Sequence, residues 1–219
     1  MSNVTIIGGH GKVALLLAPL LAERGDTVTS VFRNPDHTSD VADTGANPVV
    51  ADVENLSQDE IAELLQGADA VVWSAGAGGG NPQRTYAVDR DAAIRTIDAA
   101  KQAGIRRFVI VSYAGAGQDH GVPEDHSFYP YAQAKADADD HLRASGLDWT
   151  IVAPGALTLD EPSGRIDLVT KDDGGDHKTS RANVAQVIAA ALAEPASVGR
   201  MVEFADGDTP IADVLTAQA

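Results

Sequence analysis

The stretch that decides the fold runs from Val4 to Ala14 and reads Val-Thr-Ile-Ile-Gly-Gly-His-Gly-Lys-Val-Ala. It predicts a buried strand, a glycine-rich turn and an apolar helix. In its G-x-x-G-x-x-A spacing, Gly8 permits a tight turn, Gly11 lets backbone amides approach a ligand, and Ala14 lets the helix pack closely on the sheet. Free N–H groups at the start of the helix favour an anion. The stretch therefore predicts a βαβ unit that binds a dinucleotide diphosphate, the alternative being an ordinary glycine turn.

Arg33 indicates which dinucleotide. It directly follows the second predicted strand, Thr27 to Phe32. In NAD-preferring folds an acidic residue near this place binds the ribose 2′-hydroxyl. A guanidinium instead suits a 2′-phosphate, although a solvated arginine after a strand is the alternative interpretation. The sequence therefore favours NADP(H).

Composition limits the classes of protein and partner. The chain has 219 residues, of which 44% are hydrophobic, and this predicts one domain over 1–219 with a substantial core. We expect no membrane span and no signal peptide, since long apolar runs are missing from the sequence, and hence a cytoplasmic protein. A net charge of −16 argues against nucleic acid and anionic membranes as partners. We expect a small-molecule substrate and a monomer or homodimer.

Strands and helices alternate along the rest of the chain, which predicts an α/β protein with a doubly wound parallel sheet of Rossmann type. After Pro154-Gly155 we expect an irregular stretch. The predicted strands are 47–51, 69–73, 107–112, 148–152 and 201–205, and the predicted helices are 57–66, 83–103, 131–144 and 181–192.

Polar and small residues that could bind a ligand lie at the ends of these predicted strands. Ligands of such sheets bind outside the carboxyl ends of the strands. The glycine turn, Arg33, Asp52, Ser74 to Gly76, Ser112 and Pro154-Gly155 all fall at those ends.

Tyr131 and Lys135 are the candidates for chemistry. At positions i and i+4 they share one face of a predicted helix. A nearby ammonium favours the phenolate, so we expect Lys135 to lower the pKa of Tyr131 toward a value useful for proton transfer. Lys135 also suits a hydrogen bond to the nicotinamide ribose. A packed tyrosine beside a solvated lysine is the structural alternative.

Two other chemistries are not favoured. The histidines of the loop at 113–130, chiefly His120 and His126, lack the spacing of a metal site, so we expect no metal. His10 is expected to line the diphosphate turn. Ser-His-Asp hydrolysis lacks a G-x-S-x-G elbow after any strand.

Nearly the whole chain resembles the atypical short-chain dehydrogenases/reductases, in the group related to nitrogen-metabolite-repressor-like and biliverdin reductase B-like proteins. The resemblance is carried by Ile7–Ala14, Arg33, Asp52-Val53, Val88-Asp89, Arg106–Ser112, Tyr131 with Lys135, and His141–Thr158. It implies an NADP(H)-binding Rossmann domain with a small carboxy-terminal substrate region, in which Asp52 and Val53 lie against the adenine. It also implies that Pro154 to Ala156 border the nicotinamide.

Three positions depart from the pattern of that family. Asp89 stands where an active-site Asn is usual, Tyr113 stands where many relatives have the working Ser, and Ala153 replaces an arginine.

The predicted catalytic residues are Tyr131, Lys135, Asp89 and Ser112, the last as an oxyanion support. The predicted cofactor-binding residues are Gly8, His10, Gly11, Lys12, Val13, Arg33, Asp52, Val53, Ser74, Ala75, Gly76, Ser112, Lys135, Pro154, Gly155 and Ala156.

Two classes of function follow. The first is an NADP(H)-dependent oxidoreductase acting on a small carbonyl, enone or quinone-like substrate, whose binding walls come from 113–130 and 156–180. The second is a non-catalytic NADP(H)-binding redox sensor or regulatory protein. An NAD(P)-dependent epimerase or dehydratase on the same fold is a further enzymatic alternative.

Overall fold

The computed structural model describes residues 1–170, 173–174 and 177–217. It opens with the predicted βαβ unit, made of β1 (Asn3–Ile7), α1 (Lys12–Glu23) and β2 (Thr27–Phe32). The two strands run parallel, with Ile7 beside Val31. Apolar residues of α1 such as Leu17 and Leu21 are fully buried, which stabilises the unit by about 1.5–3 kcal/mol for each side chain.

The remaining elements alternate as the sequence predicts through most of the chain. The further strands are β3 (Asn47–Val50), β4 (Ala70–Trp73), β5 (Arg107–Val111), β6 (Asp148–Pro154), β7 (Ala156–Thr158), β8 (Arg165–Leu168), β9 (Lys178–Ser180), β10 (Arg200–Asp206) and β11 (Thr209–Pro210). The further helices are α2 (Thr38–Ala42), α3 (Gln58–Leu64), α4 (Pro82–Thr85), α5 (Ala93–Gln102), α6 (Tyr129–Ala144), α7 (Arg181–Ala193) and α8 (Ile211–Thr216).

One sheet organises the molecule, with the strand order β11-β8-β10-β6-β5-β4-β1-β2-β3. Strands β1 to β6 and β10 are mutually parallel. The chain turns back across the sheet between β1 and β4, and such a switch point opens a crevice at the carboxyl ends of the strands. This confirms the Rossmann-type fold class.

The core lies on both faces of this sheet. Leu17 of α1 and Ile188 of α7 belong to one buried cluster, and Trp73, Ile97 of α5 and Leu142 of α6 belong to the other. Ser57 caps α3 and exchanges hydrogen bonds with Glu60, which gives the capping box that its sequence indicates. Within the described residues no helix is both long and apolar enough to cross a membrane.

The expectation of an irregular stretch after Pro154-Gly155 is wrong in part. Strands β7, β8 and β9 lie there, and β8 runs antiparallel to β10 and β11 at the sheet edge. These strands have three or four residues each, so their sequence periodicity is too short to detect and distant partners fix them. Helix α8 was not expected either. Residues 171, 172, 175 and 176 of the predicted substrate segment, and residues 218 and 219, lie outside the described part of the chain.

The long helix expected over 83–103 begins at Pro82 and contains a π-helical turn, Tyr86–Ala92, between α4 and α5. A π-turn inserts one residue into a helix and often occurs at functional sites. Helix α6 begins at Tyr129, two residues before its expected start. Both differences lie beside the cavities described next.

Candidate active site

The glycine turn after β1 is shaped by close backbone approach. Gly8 has φ +89°, and a Cβ added there would lie 2.6 Å from backbone atoms of Ala75. A Cβ on Gly9 would lie 2.5 Å from the Cβ of Ser30 in β2, and one on Gly11 would lie 3.1 Å from the carbonyl oxygen of Gly8. The turn thus forms a cradle that side chains would fill. The need for Gly9 was missed, because only the packing of β2 reveals it.

Two cavities meet at this turn. The larger has a volume of about 1030 Å³ and the smaller about 290 Å³. Their shared walls are Gly11, Ser74, Ala75 and Gly76. Gly11 is the N-cap of α1 and provides no side-chain cap, so the first backbone N–H groups of α1 are available at the junction. The arrangement suits a diphosphate there, with one half of a dinucleotide in each cavity.

The smaller cavity brings together Arg33, Asp52 and Val53, which we expected at the ribose and adenine of a dinucleotide, and His10, which we expected to line the diphosphate turn. The Arg33 side chain is 55% exposed, and its Nη1 donates to Oε2 of Glu54 at 3.5 Å.

Glu54 and Arg84 also line the smaller cavity and were missed. Nε of Arg84 donates at 3.3 Å to the carboxylate oxygen that faces Arg33. Glu54 directly follows the Asp52-Val53 pair, so its position after β3 could have suggested it. Arg84 gave no such signal, since it reaches the cavity from α4, beyond a glycine-rich loop.

A pair of imidazoles forms another part of this wall. The rings of His10 and His37 stack with their centroids 3.5 Å apart, and His37 was also missed. Nε2 of His10 lies 3.1 Å from Oδ2 of Asp40. The pair joins the glycine turn to the segment after β2.

The larger cavity contains Tyr131, Lys135 and Asp89, together with Lys12 and Val13 of α1. Its outer wall comes from residues 124–128 and from Leu157 and Arg181. Tyr131 belongs to an aromatic cluster, in which its ring lies 5.3 Å from that of Phe128 and 5.7 Å from that of Tyr113. The cavity thus combines an apolar aromatic wall with a few buried polar groups.

Asp89 sits in the π-turn and is 2% exposed. Its Oδ2 accepts a hydrogen bond at 3.0 Å from the backbone N–H of Ala77. Burial raises the pKa of this carboxyl, and the nearby Lys135 opposes the rise. Asp89 therefore fixes the start of the glycine-rich loop after β4 while lining the cavity.

The expectation that Lys135 lowers the pKa of Tyr131 is wrong for this structure. Burial raises the pKa of the phenol, and the carboxylates of Asp89 and Asp139 raise it further. Lys135 is 1% exposed, and its charge instead lowers the pKa values of the Asp89 and Asp139 carboxyls, against the effect of burial. The phenol is therefore protonated at neutral pH, which makes it a proton donor rather than a base.

Ser112 is not brought to the wall of the larger cavity. It follows β5, is 3% exposed, and its Oγ donates at 2.6 Å to Oδ2 of the fully buried Asp139. Because the hydroxyl donates its hydrogen bond to the buried carboxylate of Asp139, this geometry does not support the expected oxyanion contact. Asp139 was missed, because it lies among several acids of α6 and nothing in the sequence distinguishes this buried one from its neighbours.

Pro154, Gly155 and Ala156 are likewise absent from the described linings of the two cavities, where Val111 and Leu157 stand instead. Gly155 packs against the segment before β9, since a Cβ there would overlap the carbonyl group of His177. The backbone N–H of Ala156 donates to that same carbonyl at 2.6 Å. Pro154, Gly155 and Ala156 therefore lie behind the described cavity walls rather than in them.

Asp139 gives a pH-dependent prediction. Burial raises its pKa to about 6, although Lys135 and Ser112 oppose the rise. The folded state therefore holds this proton more tightly than the unfolded state. The contribution of Asp139 to the free energy of unfolding consequently falls as the pH rises from about 4 to about 6. Asp139→Asn should stabilise the protein at pH 7 by up to about 3 kcal/mol and have little effect at pH 4. Urea denaturation at both pH values checks this, and a pH-independent difference would contradict it.

Among the residues that the structure describes, no cluster of three or more His, Asp or Glu side chains is arranged to hold a metal ion. His126 lines the larger cavity, and its Nδ1 accepts from the backbone N–H of Phe128 at 3.1 Å. His120 instead accepts from the backbone of Val122 at 3.0 Å. Both rings are thus partly engaged in shaping the loop before α6.

Comparisons with known proteins agree with this geometry. The chain is 35% identical over 215 residues to a Bacillus subtilis protein named uncharacterized sugar epimerase YhfK, covering 97% of this chain and 98% of that one. A structure provisionally named an NAD-dependent epimerase/dehydratase from Bacillus halodurans has a TM-score of 0.90 and 33% identity, covering 98% and 99% of the two chains. The oxidoreductase ylbE from Lactococcus lactis has a TM-score of 0.83 and 26% identity, covering 97% and 94%.

The model of the NAD(P)H-binding family matches residues 8–195, from the glycine turn to two residues past the end of α7. This range contains the residues shared by the two cavities and the residues that line the larger one. Its match fits the resemblance to atypical short-chain dehydrogenases/reductases. The chain therefore belongs to the NAD(P)H-binding family, whose members have an oxidoreductase- or epimerase-like Rossmann fold.

Proposed function

We propose that the protein is an NADP(H)-dependent oxidoreductase that reduces a small carbonyl, enone or quinone-like substrate. One observation carries the proposal: the two cavities join at the free start of α1, with Arg33 in one and Tyr131 with Lys135 in the other. Such a reduction needs a cation to bind the 2′-phosphate of NADP(H) and a proton donor for the substrate, and Arg33 and Tyr131 would supply these two groups. We further propose that the protein is cytoplasmic and that it acts as a monomer or homodimer.

Different residues of the larger cavity would serve different steps of the proposed reduction. When bound, the reduced nicotinamide supplies a hydride. Tyr131 is placed to give its phenolic proton to the substrate oxygen, because its raised pKa keeps it protonated. Lys135 lies near Asp89 at the cavity wall, where its side chain suits a hydrogen bond to a ribose hydroxyl. Residues 124–128 and Leu157 would exclude water from the substrate.

The preference for NADP(H) is tested at Arg33. Loss of a charge-assisted, two-pronged contact costs about 1.5–3 kcal/mol, so Arg33→Ala should weaken NADPH binding about tenfold or more and leave NADH nearly unchanged. Calorimetric titration of both nucleotides measures this. Arg106→Ala is the matched control, because Arg106 is exposed and precedes β5, at the amino ends of the parallel strands and away from the two cavities. Equal affinities of the native protein for NADPH and NADH would refute the preference.

The reaction itself is tested by the loss of NADPH absorbance with a panel of carbonyls, enones, quinones and flavins. We expect NADPH to be consumed in proportion to one class of acceptor. An absence of turnover with every acceptor, despite tight NADPH binding, would refute the enzymatic proposal. It would instead favour the NADP(H) sensor, an alternative supported by the commitment of Ser112 to Asp139.

An epimerase or dehydratase is the second enzymatic candidate, and the names of the two Bacillus relatives favour it. Such an enzyme takes a hydride from the substrate onto the oxidised nucleotide and later returns it, so the nucleotide undergoes no net change. Conversion of a sugar by the protein loaded with oxidised nucleotide, with no net gain or loss of NAD(P)H, would select this candidate, whereas stoichiometric consumption of NADPH selects the reductase.

A further inference from the structure

Three charged side chains from separate segments meet at the ribose end of the smaller cavity. Arg33 follows β2, Glu54 follows β3, and Arg84 belongs to α4. The Oε2 atom of Glu54 accepts from Nη1 of Arg33 at 3.5 Å and from Nε of Arg84 at 3.3 Å. All three line the same cavity. One carboxylate therefore partly neutralises two guanidinium groups at the place where a ribose 2′ substituent would be recognised.

Glu54 is held in place more firmly than a surface glutamate. The guanidinium of Arg95 donates to the backbone carbonyls of Val53 and Glu54, at 3.2 Å and 2.9 Å. Arg84 is fixed by its own bond to the carbonyl of Ala77, at 2.7 Å. The Glu54 side chain is 22% exposed, against 55% for Arg33. Of the pair, Arg33 is thus the freer partner to turn toward a ligand.

A 2′-phosphate and a 2′-hydroxyl make opposite demands on this carboxylate. A phosphate carries up to two negative charges and has to replace Glu54 on Arg33, with Glu54 nearby as a like charge. A hydroxyl can donate a hydrogen bond to the carboxylate, as it does to the acidic residue of NAD-preferring folds. Arg33 therefore favours NADPH, and Glu54 acts against it.

We propose that Glu54 is a specificity-determining residue that limits the preference for NADPH over NADH by competing with the 2′-phosphate for Arg33. The inference rests on the proposed use of NADP(H) and identifies the residue that moderates it. Removing the carboxylate charge should strengthen NADPH binding and should slightly weaken NADH binding.

The experiment compares Glu54→Gln with the native protein by calorimetric titration of NADPH and NADH. Because the 2′-phosphate no longer has to displace a carboxylate from Arg33 in this variant, the ratio of NADPH to NADH affinity should rise about tenfold. Glu63→Gln is the matched control, because Glu63 is an exposed residue of α3 and its loss changes the net charge equally. Glu54→Ala should shift the ratio in the same direction.

The double variant Arg33→Ala with Glu54→Gln tests the mechanism. If Glu54 acts by holding Arg33, the gain from Glu54→Gln should disappear without Arg33. An unchanged affinity ratio in Glu54→Gln, or a full gain that persists in the double variant, would overturn the inference. A native protein that does not prefer NADPH refutes the proposed cofactor instead, and the shift caused by Glu54→Gln is still measured.

Discussion

Gly11→Val is expected to weaken NADPH binding at least about a hundredfold while the chain remains folded. Gly11 lies in the walls of both cavities and caps α1 without a side chain. A branched side chain there would occupy the space in which a diphosphate approaches the helix. The loss of two charge-assisted hydrogen bonds, at about 1.5–3 kcal/mol each, accounts for the expected effect. Calorimetric titration with NADPH measures it.

The backbone explains why the variant should fold. Gly11 has φ −64° and ψ 149°, an extended conformation that valine adopts readily. Gly11→Ala is the graded control, since its Cβ alone lies 3.1 Å from the Gly8 carbonyl oxygen and needs only a small adjustment. Gly8→Val is the contrasting control, because its φ of +89° and its contact with Ala75 should cost stability as well as binding. Normal NADPH affinity in a folded Gly11→Val protein would place the diphosphate elsewhere.

The features that the sequence predicts well are those fixed by neighbours along the chain. The first βαβ unit, the capping box at Ser57 and the helix that carries Tyr131 and Lys135 depend on residues a few positions apart. Arg33 could be placed in the cavity beside the glycine turn because it directly follows a strand of that unit. Local patterns report local structure, so these predictions agree with the structure.

The features that the sequence does not predict depend on contacts between distant segments. Glu54 and Arg84 are 30 positions apart and meet only after the sheet assembles. The bond from Ser112 to Asp139 similarly joins β5 to α6. Strands β7 to β9 form through pairing rather than through their own periodicity. Burial then decides the chemistry, as the raised pKa of Tyr131 illustrates.

Tyr131→Phe is expected to lower turnover about a hundredfold or more, the usual contribution of a general acid, with NADPH affinity unchanged. The substitution removes one hydroxyl from a side chain of the cavity wall and keeps its aromatic contacts with Phe128 and Tyr113. Because the pKa of Tyr131 is raised, the phenol should stay protonated to higher pH than an ordinary tyrosine. Turnover in the native protein should therefore show no loss of this donor between neutral pH and about 9.

Steady-state kinetics on the best acceptor of the panel, together with calorimetric NADPH titration, separate a catalytic role from a structural one. A merely packed tyrosine would lower the free energy of unfolding and leave turnover per folded molecule intact. Lys135→Met is the companion variant and should lower both turnover and NADPH affinity. It should also destabilise the fold, because it leaves Asp89 and Asp139 buried without their cation. Full turnover in Tyr131→Phe would mean that the proton comes from solvent, and that Tyr131 serves only as part of the aromatic wall.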